Sequence, residues 1–90
     1  MFHITGAQIR AGRALVRWSA EELAVRSKLG VATIRRAEAH DGPVNATAAN
    51  IDAIRTVLET AGVQFIPENG GGAGVRFLKP VTPMSTKKPD

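Results

Sequence analysis

Cysteine is absent from this chain of 90 residues, and aromatic side chains make up only 4% of it. Without cysteine the chain can form neither a disulfide nor a thiolate zinc site, and a reducing compartment suits it. The two histidines, His3 and His40, lie far apart and do not have the spacing of metal ligands. We therefore expect no metal and no cofactor, and one small domain with a limited capacity to bury apolar surface.

Long apolar runs are missing as well. The segment MFHITGAQIRAG lacks the apolar stretch of a signal peptide, and no later stretch approaches the roughly 20 residues of a membrane-spanning helix. We expect a cytoplasmic protein without a membrane partner. No Ser/His/Asp set, paired-carboxylate site or metal cluster can be recognised, so we do not expect an enzyme and assign no catalytic residue.

Positive charge is concentrated in the first part of the chain. The formal net charge is +4 at pH 7. Residues 1–40 contain seven arginines or lysines against three glutamates, whereas residues 41–90 contain five groups of each sign. A polyanion would therefore be attracted to the first 40 residues. An ordinary solvated surface is the alternative explanation of so modest a total.

The stretch from Ser19 to Glu38, SAEELAVRSKLGVATIRRAE, predicts two short helices joined by a tight turn. Ser19 is a good N-cap, and Glu22 three residues on completes the pattern of a capping box. Gly30 can serve as the N-cap of the second helix, in which Ile34 and Ala37 share an inward face. The adjacent arginines of that helix point outward. This is the layout of a helix-turn-helix, whose second helix could enter a DNA major groove.

The longer segment from Ile9 to Glu38, IRAGRALVRWSAEELAVRSKLGVATIRRAE, resembles the Cro and phage-repressor type of helix-turn-helix domain, the Xre family. The matching marks are Arg13-Ala14, the run Trp18–Ala24, and the run Gly30–Arg36 with Glu38. Two positions depart from the family's pattern: Lys28 stands where many relatives have a turn glycine, and Gly30 where they usually have Ser or Thr. The resemblance implies a mainly α fold, a lambda-repressor-like bundle of about four helices followed by a C-terminal β-hairpin. It also implies a sequence-specific, DNA-binding transcriptional regulator of bacterial or phage-like type.

The remaining segments complete the predicted fold. A helix from Thr5 to Arg17 precedes the turn, and Trp18 is expected to pack at the joint between helices. A helix from about Ala48 to Ala61 follows, capped by Thr47 or Asn45 and ended by Gly62. Its predicted core residues are Ile51, Ile54, Val57, Leu58 and Ala61. The runs VQFIPE and VRFL flank a glycine-rich loop and predict a β-hairpin. We expect a helix-turn-helix domain over residues 1–62, a hairpin over 63–78 and a disordered tail over 79–90.

The resemblance implies which residues contact DNA when the helix from Val31 to Ala39 lies in the major groove. The base-facing candidates are Val31, Ala32, Thr33, Arg35 and Arg36. Arginine suits bidentate bonding to guanine, whereas Val31 and Ala32 can make only apolar contacts. The candidates for phosphate contact are Arg10, Arg17, Ser19, Ala20, Lys28 and Gly30. In the family an acidic residue at the position of Glu38 pairs with an arginine of the first helix, here Arg13.

The hairpin raises a separate question, because a lone pair of strands leaves two exposed edges. We infer that it packs on the helices and pairs with the same hairpin of a second chain, and the residues assigned to dimerisation are Val63, Phe65, Ile66, Val75 and Phe77. A homodimer on an inverted-repeat operator, associated with the nucleoid, would follow.

Several alternatives stay open. The hairpin could instead act as a wing that touches DNA through Arg76 or Lys79. The chain could be an antitoxin or a mobile-element accessory protein that holds a second protein on the hairpin. A pure protein-interaction module is a third reading, and a solvated helix face is the alternative for Arg35 and Arg36.

Overall fold

The computed structural model describes residues 3–80, which form four α-helices followed by a two-stranded antiparallel sheet. The helices are α1 (Gly6–Val16), α2 (Ala20–Ser27), α3 (Val31–Glu38) and α4 (Ala48–Thr60), and the strands are β1 (Val63–Ile66) and β2 (Gly74–Phe77). The mainly α fold with a C-terminal hairpin is thus confirmed. Residues 81–90 of the predicted tail lie outside the described residues. None of the helices between residues 3 and 80 has the length and apolar character needed to cross a membrane.

Side-chain caps begin three of the four helices. At α1 the Thr5 hydroxyl accepts from the Gln8 amide at 3.1 Å, and the Gln8 side chain accepts from the Thr5 amide at 2.9 Å. This reciprocal capping box was not predicted. At α2 the Ser19 hydroxyl accepts from the Glu22 amide as expected, but Glu22 does not complete the box. Its carboxylate accepts instead from Arg26, one helical turn on, at 2.6 Å.

The first two helices end in the same left-handed turn. Arg17 after α1 has φ 61° and ψ 37°, and Lys28 after α2 has φ 61° and ψ 35°. In both turns the amide of the following residue donates to the carbonyl five residues back at 3.0 Å. Glycine is the usual residue here, because a Cβ costs about 1 kcal/mol or more in this conformation. A turn at Lys28 was predicted, because many relatives have a turn glycine at that position, whereas the turn at Arg17 was not.

The core takes fully buried aliphatic side chains from each helix and two residues from β1. The helical members are Ile9 of α1, Leu23 of α2, Ile34 of α3, and Ile54 and Leu58 of α4. Because every helix contributes at least one of them, the helices share one core rather than packing in separate pairs.

Most of the core residues predicted for α4 are confirmed. Thr47 caps it, Ile54 and Leu58 are fully buried, and Ile51 and Val57 are partly buried against the core. Ala61 was predicted as a core residue, and this is wrong: it is exposed. Ala61 is the C-cap, so the helix ends before this position can turn back toward the core.

The hairpin pairs Val63 with Phe77 and Ile66 with Gly74, and it packs against α1 and α4. Packing on the helices was predicted. The Gln8 side chain of α1 was not predicted to take part, yet its amide donates to the carbonyls of Ile66 at 3.0 Å and Gly74 at 2.9 Å. Gln8 is buried, so these bonds hold the loop end of the hairpin on α1 and satisfy a buried polar group.

Gly6 marks the closest approach between the start of α1 and the loop after α3. Its amide donates to the Gly42 carbonyl at 3.0 Å. A Cβ added to Gly6 would lie 2.0 Å from the backbone oxygen of His40 and 3.0 Å from that of Ala37. Backbone atoms cannot rotate away as a side chain can, so this position tolerates no side chain without a shift of the helix.

We expect Gly6→Ala to lower the free energy of unfolding by about 3 kcal/mol, because overpacking against backbone forces helix α1 away from the loop. Urea unfolding followed by circular dichroism measures the change. Gly72→Ala is the matched control, since a Cβ there meets nothing within 4 Å. Equal stability of the two variants would show that α1 and the loop do not approach as described.

We expect Lys28→Gly to raise the free energy of unfolding by about 0.5–1 kcal/mol, because glycine removes the Cβ strain of the left-handed turn. Lys28→Ala is the control that removes the charge and keeps the strain, and it should give no such gain. If both variants were more stable than the wild type, the lysine charge rather than the backbone conformation would be what lowers the free energy of unfolding.

Candidate functional site

Helices α2 and α3 are joined by three residues, Lys28, Leu29 and Gly30, and pack against each other. On α3 the side chains of Ile34 and Ala37 are buried, as predicted. Three of the base-facing candidates, Ala32, Arg35 and Arg36, are exposed, and the other two, Val31 and Thr33, are partly buried. The inner face of α3 is therefore used for packing, while its outer face is presented to solvent.

The predicted pair between Arg13 and Glu38 forms and is bidentate. Arg13 Nε lies 2.6 Å from Glu38 Oε2, and Arg13 Nη2 lies 2.8 Å from Glu38 Oε1. The remaining donor, Nη1, bonds the carbonyl of Trp18 at 3.0 Å. Only 8% of the Glu38 side chain and 21% of the Arg13 side chain are exposed. Through these bonds Arg13 ties α1 and the middle of the α1–α2 turn to the last turn of α3.

The pKa of the Arg13 guanidinium is raised above its ordinary value, chiefly by its hydrogen bonds to Glu38, while burial acts in the opposite direction. A raised pKa means that the stabilisation is fully present below the pKa of the unfolded arginine and is lost as the pH rises through the higher folded value. Because even an unperturbed arginine stays protonated far above neutral pH, the Arg13 guanidinium stays charged at every pH that the fold would meet.

The two outward arginines of α3 have different surroundings. Arg35 donates to the Glu21 carboxylate in the first turn of α2, and both side chains are about 60% exposed. An exposed pair of this kind is worth at most about 1 kcal/mol, so Arg35 can exchange Glu21 for another anion at little cost. Arg36 is exposed, and its contact with the Thr33 hydroxyl is long, at 3.5 Å. Within residues 3–80 no salt bridge involves Arg36.

The basic candidates for phosphate contact divide into engaged and available side chains. Arg10 donates to the Glu38 carbonyl and to the Asp41 carboxylate, so it joins α1 to the end of α3 and the loop beyond. Arg17 and Lys28 are exposed and make no salt bridge within the described part of the chain. We therefore regard these two as the stronger candidates of the three.

The backbone candidates also differ from one another. The Ser19 hydroxyl already caps α2, and the Ala20 side chain is buried, so only the backbone of Ala20 could reach an anion. Glu21 and Glu22 stand in the first turn of α2 and oppose an anion there. Gly30 is exposed, caps α3 without a side-chain hydrogen bond, and is followed by no acidic residue in the first turn of that helix.

The five residues assigned to dimerisation do not lie on one exposed surface. The side chains of Val63 and Phe65 are buried in the core of this chain, so they are not available to a second chain. Ile66 and Val75 are partly buried, and Phe77 is 38% exposed. Leu78, which was not assigned, is 58% exposed beside Phe77.

Trp18 is partly buried and packs against the core, as expected for a residue at the joint between helices. Its partner was not predicted: the Arg26 guanidinium lies over the ring, 4.4 Å from the ring centre. Spacing along the sequence gives no signal for this stacking, because Trp18 precedes α2 and Arg26 lies in its last turn. Among residues 3–80 no group of three or more His, Asp or Glu is placed to hold a metal ion.

We expect Glu38→Gln to lower the free energy of unfolding by about 2–3 kcal/mol, because it leaves the largely buried Arg13 charge without its anion. Chemical unfolding at low and high salt measures the loss. Glu21→Gln is the control, since it breaks the exposed pair with Arg35 and should cost less than about 1 kcal/mol. Similar losses in the two variants would contradict a structural role for the Arg13–Glu38 pair.

Comparison of the chain with protein-family models and with curated proteins gave no match. The resemblance to the Xre family therefore depends on the residues between Ile9 and Glu38 themselves.

Proposed function

We propose that the chain is a sequence-specific DNA-binding transcriptional regulator of the helix-turn-helix type, which acts as a homodimer on an inverted repeat. Helix α3 would enter the major groove, and the protein would work in the cytoplasm at the nucleoid. The observation that carries the proposal is the division of α3 into a buried, ion-paired inner face and an exposed outer face of small and cationic residues.

The dimensions and side chains of α3 suit a major groove. An α-helix with its side chains is about 10–12 Å wide, and the groove is about 12 Å wide. Ala32 is small enough to let the helix come close to base edges, and its methyl group suits a thymine methyl. Arg36 can reach further and donate two hydrogen bonds to guanine. Arg35 would leave Glu21 to contact either a base or a phosphate.

Cations at the ends of α2 support a backbone-contacting role. Arg17 lies just before α2 and Lys28 lies just after it, and both are exposed. Such contacts fix the position of the protein on the duplex and add salt dependence without reading sequence. One domain of this size reads few base pairs, so a second copy on a half-site about 34 Å away would supply the rest of the specificity.

We expect Arg36→Ala to lose about 1–3 kcal/mol of discrimination at one base pair, because it removes a bidentate contact to guanine. Lys28→Ala should weaken binding to every sequence alike and lower the log–log salt slope by about 1. Fluorescence anisotropy with a selected duplex and a random duplex, repeated over a range of salt, measures both effects. Arg76→Ala on the exposed side of β2 is the control for arginines in general.

The results of these titrations distinguish the proposed function from its alternatives. Equal losses on selected and random DNA for Arg36→Ala and Lys28→Ala would contradict base reading by α3. A loss for Arg76→Ala as large as that for Lys28→Ala would assign the hairpin to DNA as a wing. If the wild-type chain bound neither duplex at low salt, α2 and α3 would form a protein-docking surface instead.

The antitoxin or mobile-element alternative requires a surface for a second protein near the hairpin. The exposed side chains of Phe77 and Leu78 are the feature that favours it. DNA binding by α3 would be the same in both cases, so the partner of this surface distinguishes them.

A further inference from the structure

An apolar surface lies where the C-terminal end of α4 meets the end of β2. Two adjoining hollows of about 370 Å³ each open there, and they share Thr60 and Ala61. The first reaches Trp18, Val57 and the cationic Arg26, and the second reaches Phe77 and Leu78. We call this continuous surface the α4–β2 face; its residues are Trp18, Val57, Ala61, Phe77 and Leu78.

The α4–β2 face holds most of the exposed large apolar side chains of the described residues. There are three of these, namely Phe77, Leu78 and Val25, and the first two are neighbours on this face. Val25 lies apart on α2 and is 75% exposed. A single exposed apolar residue is ordinary, whereas adjacent ones beside a hollow indicate a contact surface.

Charge indicates what kind of partner fits. Each chain carries a formal net charge of +4, all of it in residues 1–40, so two copies would repel each other if those parts met. Four of the five residues of the α4–β2 face belong to the second part of the chain, which has equal numbers of basic and acidic residues. Glu59 and Lys79 both line the hollow next to Phe77 and Leu78, and they have opposite charges.

We propose that the α4–β2 face is the contact between two copies of this chain, related by a two-fold axis. In such a contact each patch meets itself. With the axis passing between Glu59 and Lys79, Glu59 of each copy faces Lys79 of the other and two equivalent ion pairs form. Phe77 and Leu78 of each copy fill the hollows beside Ala61 of the other copy. This inference rests on the proposed function, because binding to an inverted repeat is what requires a second copy. It leaves α3 accessible, because α3 packs on α1 and α2 while the hairpin packs on α1 and α4.

The first test is the oligomeric state of the full chain by sedimentation equilibrium over a range of concentrations. We expect a monomer–dimer equilibrium. Leu78→Asp should raise the dissociation constant of the dimer on the order of 100-fold or more, since the dimer buries this side chain in both copies. Val25→Asp is the matched control and should leave the equilibrium unchanged. A monomeric wild-type chain, or equal effects of the two substitutions, would overturn the proposal.

The second test is a charge exchange at the rim. Glu59→Lys and Lys79→Glu should each weaken dimerisation about 10-fold, because each replaces two attractive pairs by two repulsive ones. The double variant restores both pairs and should recover most of the wild-type affinity. A double variant that dimerises as weakly as the single ones would overturn the two-fold pairing of Glu59 with Lys79. Circular dichroism of all variants checks that they fold.

The two proposals fail in different ways. Leu78→Asp should still bind a single half-site at low salt, because α3 is untouched, but should bind the inverted repeat no better than two separate half-sites. Arg36→Ala should remain a dimer while it loses base discrimination. A wild-type dimer that binds no DNA would overturn the proposed function alone. A wild-type monomer that binds DNA would overturn this interface and the homodimer, and would leave DNA binding by α3 in place.

Discussion

The buried ion pair between Arg13 and Glu38 is the interaction on which the rest of the structure depends. An isolated helix of eight residues is marginal in water, so α3 needs tertiary contacts to form at all. The pair supplies a directed contact at its last turn, while Ile34 and Ala37 supply apolar contacts along its length. Because Arg13 also bonds the Trp18 carbonyl, the same guanidinium holds the place where the chain turns from α1 into α2.

Helix α1 contacts both α3 and the hairpin, and it uses different side chains for each. Arg13 and Arg10 reach toward α3 and its following loop, whereas Gln8 reaches the hairpin. The outer face of α3 and the exposed side chains of Phe77 and Leu78 on the α4–β2 face are thus separate surfaces, and neither supplies the fully buried residues of the core. The proposed DNA contact and the proposed contact between two copies therefore lie on different surfaces.

Local signals made the helices predictable. N-caps at Thr5, Ser19 and Thr47, apolar spacing of three and four residues, and glycine at position 62 define their bounds within a residue or two. The Arg13–Glu38 pair came from the family resemblance, since nothing in a spacing of 25 residues indicates a contact.

Contacts between distant parts of the chain could not be predicted in this way. The bonds from Gln8 to Ile66 and Gly74 span 58 and 66 residues, and the stacking of Arg26 on Trp18 depends on the turn between them. Alternation along β1 puts Val63 and Phe65 on one side of the strand, and both are buried. It could not tell whether that side faces the chain's own core or a partner, because burial depends on how the hairpin docks on α1 and α4.

The support that Gln8 gives to the hairpin has a consequence for the glycine-rich loop between the strands. In most short hairpins the connecting turn sets the register, so its length cannot change freely. Here a side chain from α1 holds the paired residues Ile66 and Gly74 at the point where the loop begins and ends. The loop is therefore not needed to set the register of the strands. Extra residues between positions 67 and 73 would then cost only the slowly growing entropy of a longer closure. This loop is the place where the protein can gain or lose length in evolution, or carry an inserted peptide or dye, without disturbing its fold.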